Sequence, residues 1–174
     1  VLVIPYDEEH IERADTQRYA EAVQQLGVGM LIIAMHPKAG FGERKRVNLW
    51  VRTPPGELDA VAAFSTGNLN LNLLTGYRLL RRWGADVRLI SCVPDGTDVD
   101  ALPASPPPLR DPARSPPAVM RIAMVGGFEE SLADAPIADV NIIGMPPSPD
   151  PELLKRWVGL AHATCIFVRD SGRE

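Results

Sequence analysis

The distribution of apolar positions along the chain predicts an alternation of strands and helices. Val1-Leu-Val-Ile4 opens as a strand, and a polar stretch beginning at Asp7-Glu8-Glu9 follows. A helix is expected from about Thr16 to Leu26, with Tyr19, Val23 and Leu26 at helical spacing and Gly27 as its stop. Gly29-Met-Leu-Ile-Ile-Ala34 is apolar without alternation, the pattern of a strand covered on both faces. A third strand is expected over Val47 to Arg52 and is broken by Pro54-Pro55-Gly56. The helix that follows, from Asn70 to Trp83, aligns Leu73, Tyr77, Leu80 and Trp83, sets Arg78, Arg81 and Arg82 elsewhere, and ends at Gly84. Asp86 to Cys92 reads as the fourth strand.

Beyond it the chain changes character. Prolines at 103, 106, 107, 108, 112, 116 and 117 deny residues 103–117 regular backbone hydrogen bonding, so this segment reads as an exposed linker. Strands are expected again at Val119 to Val125 and Ala138 to Gly144, with a short helix near Phe128 to Ala133 between them. Asp150-Pro151-Glu152 has the chemistry of a helix start: a capping carboxylate, a proline at the first turn and an acid at the positive dipole end. The helix buries Leu153, Trp157 and Leu160, and Thr164 to Arg169 is the last strand. The whole reads as one α/β domain over 1–174, with 103–117 joining two α/β halves. Its sheet is mostly parallel, with helices on both faces.

Composition narrows the function classes. A net charge of −4 with mixed signs along the chain carries no nucleic-acid footprint. Cys92 and Cys165 sit in apolar runs, as buried thiols do, and neither has metal-site spacing. No apolar run is long enough to span a membrane, and the absence of an initial methionine before a core strand suggests a fragment of a longer protein.

Candidate chemistry is sparse. Asp7, Glu8, Glu9, His10 and Glu12 offer cation ligands but read better as a solvated helix approach, and His10, His36 and His162 form no motif. Gly126-Gly127 follows a strand, yet the dinucleotide fingerprint and the P-loop Lys-Ser/Thr are both missing; Gly40-Phe41-Gly42 is weaker still. Ser65, Ser91 and Ser131 have no nucleophile-elbow context. No catalytic, cofactor-binding or metal-ligating residue is assigned. Arg78, Arg81 and Arg82 suit an anionic lipid or an acidic partner, or equally a solvated helix end. Tyr77, Trp83 and Trp157 read as core.

Three segments, in order, resemble the C-terminal cytosolic domain of prokaryotic cation–chloride cotransporters. They are Tyr19-Ala-Glu-Ala-Val with Gly29-Met-Leu-Ile-Ile; Val47-Asn-Leu-Trp with Asn70-Leu-Asn-Leu-Leu-Thr-Gly-Tyr-Arg-Leu-Leu and Ala85-Asp-Val-Arg-Leu-Ile; and Ala138-Asp-Val-Asn-Ile-Ile-Gly-Met-Pro-Pro with Cys165-Ile-Phe-Val-Arg169. Asn48 stands where the family strand has an aspartate, and Pro54 to Asp59 replaces its paired acidic turn. The resemblance implies a fold like that of universal stress proteins. It also implies a parent transporter, in the amino acid/polyamine/organocation superfamily, that moves chloride with sodium or potassium. The domain itself would be noncatalytic and lie at the cytoplasmic face of the membrane. Its expected partners are the parent's transmembrane part and a second copy. A nucleotide-binding sensor and a small enzyme working at the carboxyl ends of the strands are the rival readings.

Overall fold

The computed structural model describes residues 1–6, 13–52, 69–96, 120–146 and 150–171. The strands are β1 (Leu2–Pro5), β2 (Met30–Ala34), β3 (Arg46–Arg52), β4 (Asp86–Val93), β5 (Met120–Val125), β6 (Val140–Gly144) and β7 (Thr164–Arg169). The helices are α1 (Arg13–Leu26), α2 (Leu69–Trp83), α3 (Phe128–Asp134) and α4 (Pro151–Ala161). The seven strands form one sheet in the order β1-β2-β7-β6-β3-β4-β5. Every neighbouring pair is parallel except β2 and β7, whose register runs from Met30 opposite Arg169 to Ala34 opposite Cys165.

The order follows from the handedness of strand–helix–strand connections. From β3 the chain steps to β4 through α2 on one face and on to β5, then returns across the sheet to β6 through α3 and steps outward to β7 through α4, both on the other face. Right-handed connections that step in opposite directions must place their helices on opposite faces. The reversal of direction occurs between β3 and β6, so their carboxyl ends flank the switch point.

Two apolar layers match the two faces. One unites Val23, Met30, Ile32, Trp50, Ile90, Ile143, Leu154, Trp157 and Phe167 beneath α1, α3 and α4. The other joins Val47, Leu49, Val87, Leu89, Val140, Ile142, Ile166 and Val168 beneath α2. The first layer is threaded by edge-to-face aromatic contacts. Trp50 meets Phe128 at 5.2 Å between centroids, Phe128 meets Trp157 at 4.9 Å, and Trp157 meets Phe167, tilted, at 6.2 Å. Two strands, β3 and β7, and two helices are thereby tied together.

Several expected boundaries differ by a residue or two, and two buried faces differ in substance. Among the described side chains of α1 the buried positions are Ala20 and Val23, whereas Tyr19 and Leu26 are exposed. The small Ala20 lets the helix lie against the sheet at a position where Tyr19 would hold it away. Among the described residues of α2 past position 70 the buried ones are Asn72 and Gly76, and Tyr77 is 43% exposed. A Cβ at Gly76 would stand 2.5 Å from Leu49 Cδ1, so the glycine is where the helix backbone approaches β3. That close approach turns the helix by about one residue from the expected stripe and rotates Tyr77 outward. In α4, Leu154 and Trp157 are buried and Leu153 and Leu160 partly so; Asp150 Oδ1 accepts from the Glu152 amide at 3.2 Å, as expected of a cap. The linker 103–117 lies outside the described residues; the strands on either side of it, β4 and β5, are direct neighbours.

Candidate interaction surface

The α2 sequence, LNLNLLTGYRLLRRW, contains no acidic residue. Its inner side is set by Gly76 against Leu49 and by Asn72, whose Nδ2 donates to the Trp50 carbonyl at 3.5 Å. With that side committed to the sheet, residues at 74, 77, 78 and 81 recur at helical spacing on the outside. Leu74 is 46% exposed, and Arg78, Arg81 and Arg82 are all exposed with it and Tyr77. The sequence singles out the three arginines but sets Tyr77 on the inward stripe; the fold exposes Tyr77, with Leu74, beside Arg78.

The loop from β2 to β3 lies at the C-terminal end of α2. Phe41 packs edge-to-face on Trp83 with centroids 6.4 Å apart, and the Asp86 amide donates to the Lys45 carbonyl at 2.7 Å. The loop is also bound to the sheet. Thr164 Oγ1 accepts from the His36 amide at 2.9 Å and donates to the Gly40 carbonyl. His36 Nδ1 accepts from the Ala39 amide at 3.0 Å, so this histidine shapes a turn. Gly40 and Gly42 have φ of 53° and 71°, and a Cβ at Gly42 would collide with Asp139, whose Oδ2 accepts from the Arg46 amide. The Gly40-Phe41-Gly42 segment is therefore a turn that carries Lys38, Arg44 and Lys45, all exposed, to the end of the arginine helix.

The other candidates are placed as follows. Asp7, Glu8, Glu9, His10, Glu12 and Ser65 lie outside the described residues. His162 is the left-handed C-cap of α4. Ser91 and Ser131 are buried, and Ser131 Oγ has no hydrogen-bond partner. Among the described residues no group of three His, Cys, Asp or Glu side chains converges as metal ligands do. Cys165 is fully buried, which pushes its thiol up to about 12, and Cys92 is partly buried. Trp157 is core as expected, while Trp83 is only partly buried.

Gly126 and Gly127 open α3 after β5, the place where a phosphate turn would sit. The Gly127 amide already donates to Glu130 Oε2, at 3.4 Å, and Glu129 and Glu130 put two carboxylates in the first turn. A polyphosphate would have to displace one anion and approach another, so the geometry disfavours it. Glu129 has a structural use. Its Oε1 accepts from Arg156 Nη2 at 2.8 Å, Arg156 Nε at 3.0 Å and Trp157 Nε1 at 3.1 Å, clamping α3 to α4. The indole N–H first, and the guanidinium second, hold the Glu129 carboxyl below the ordinary carboxylate value. A depressed folded pKa contributes stability above the unfolded value, near 4.5, that is lost as pH falls through the lower folded value. Glu129→Gln is therefore expected to flatten the fall of stability below that pH while lowering stability at neutral pH. Urea midpoints across an acid pH series check this, and equal slopes for both chains would contradict it.

No helix among the described residues is long and apolar enough to cross a membrane. The family model described as "Prokaryotic cation-chloride cotransporter, C-terminal domain, 2nd" matches residues 42–174. No curated protein matches the chain. A similar solved structure is the crystal structure of the cytoplasmic domain of a prokaryotic cation chloride cotransporter. It aligns with a TM-score of 0.77 and 23% identity over 99% of this chain. The chain spans 64% of that domain's length. At that identity the likeness establishes a shared fold, and the family match rests on sequence over β3 to β7. The chain belongs to the prokaryotic cation-chloride cotransporter C-terminal domain family.

Proposed function

We propose that this chain is a noncatalytic regulatory and dimerisation domain at the cytoplasmic face of a membrane transporter that carries chloride with sodium, potassium or both. The observation that carries the proposal is the family match over 42–174, which takes in β3 to β7 and all of α2, α3 and α4. The whole of 1–174 acts as one domain in this reading. Its partners are the transmembrane part of its own parent and a second copy of itself; nucleic acid is not among them. Regulation requires no chemistry at the domain. A surface that fits one transport state better than another shifts the population toward that state by the difference in contact free energy.

The test uses the full parent transporter in proteoliposomes. Chloride uptake that depends on external sodium or potassium is expected, together with a change in rate or in oligomeric state when residues 1–174 are deleted. A parent with no cation-dependent chloride flux would overturn the transport reading. Unchanged flux and unchanged assembly after the deletion would overturn the regulatory one.

A further inference from the structure

We propose that the outer face of α2 and the basic end of the β2–β3 loop form one docking patch for an anionic lipid surface. Arg78, Arg81 and Arg82 stand exposed on a helix without acids, and none of the three side chains makes a hydrogen bond or ion pair with the described residues. The Phe41–Trp83 contact and the Lys45–Asp86 backbone bond bring Lys38, Arg44 and Lys45 to the same end of the helix. Glu43 and Asp86 are the acids nearest in sequence to this cluster, and Asp139 is engaged by the Arg46 amide.

Arginines in the last turn of a helix offset its dipole, which accounts for Arg81 and Arg82 in part. It does not account for Arg78, or for Leu74 and Tyr77 left half in water among the cations. Exposed leucine and tyrosine beside arginines suit the headgroup layer, where the apolar parts are buried and the guanidiniums meet phosphate and carboxylate. Helix geometry argues the same way. At about 100° per residue, positions 78, 81 and 82 spread over roughly 100° of the helix surface, which suits an extended negative surface better than a small anion or a single carboxylate. The chain's net charge of −4 opposes general adsorption to anionic membranes, so binding has to be oriented through this patch. The membrane itself comes from the transporter reading, on which the choice of lipid rests.

The experiment is co-sedimentation of the 174-residue chain with vesicles of phosphatidylcholine alone and of phosphatidylcholine with about one third phosphatidylserine. Binding is expected only with phosphatidylserine and is lost at high salt. Each arginine removed weakens it roughly fivefold, and R78A/R81A/R82A about 100-fold. R78K/R81K/R82K retains binding, because the lipid surface reads charge and not guanidinium geometry. Equal melting temperatures confirm that the alanine variant is folded; if it is not, Arg78→Glu alone serves the same purpose. Absence of phosphatidylserine-dependent binding, or full binding by the alanine variant, overturns the proposal. Binding to soluble polyglutamate without binding to vesicles also overturns it, and reassigns the patch to an acidic protein segment. A parent gene without membrane spans would defeat the transporter reading while leaving the vesicle result as measured, so the two failures are distinct.

Discussion

Phe167→Ala is expected to cost about 3–5 kcal/mol of unfolding free energy, the range for emptying a large aromatic site in a close-packed core. For a domain of this size that corresponds to roughly 10 °C in Tm. Phe167 is fully buried in the middle of β7, opposite Ile32 on the antiparallel side and Ile143 on the parallel side. It also ends the aromatic row that runs through Trp157, Phe128 and Trp50. The site cannot collapse easily, because β-strand neighbours hold it from both sides and α4 closes it through Trp157. Thermal and urea unfolding measure the change. A loss under about 1 kcal/mol would mean that this face is not close-packed and that the aromatic row is not a continuous element of the core.

Asn141→Leu is expected to cost about 1–3 kcal/mol although it replaces a buried polar side chain with an apolar one of similar size. Asn141 Oδ1 accepts from Trp50 Nε1 at 2.9 Å, between β6 and β3 and away from water. The leucine would leave a buried indole N–H with nothing to donate to, and the penalty is that of desolvating the orphan. Trp50→Phe removes the same donor. The two changes should therefore be non-additive, with a coupling of about 0.5–3 kcal/mol in a double-mutant cycle. Strict additivity would show that the bond contributes nothing beyond the packing of its two partners.

The same strands show where sequence reasoning ran short. Asn48 was noted only as a departure from a family pattern. In the fold it is buried on β3 and its Nδ2 donates to the Pro136 carbonyl at 2.8 Å, stitching the segment before β6 to β3. Asn72, on the inner side of α2, and Asn141, on β6, are likewise buried. A polar residue in an apolar run reads as a solvent-facing position unless its partner is known. Each of these partners lies at least 22 residues away in sequence.

The sequence by itself determined the order and kind of the described elements. Uninterrupted runs such as Met30-Leu-Ile-Ile-Ala34 can be satisfied only by a sheet covered on both faces, and Gly27, Gly84 and Asp150-Pro151 mark helix ends through local backbone chemistry. These signals act over a few residues and survive without knowledge of neighbours. Only the tertiary structure decided the antiparallel join of β2 to β7, the inward turn of Gly76 in place of Tyr77, and the meeting of the Lys38–Lys45 loop with the end of α2 at Trp83. Each depends on how closely two distant backbones can approach. That distance is set by small residues, strand register and aromatic contacts acting together across the chain.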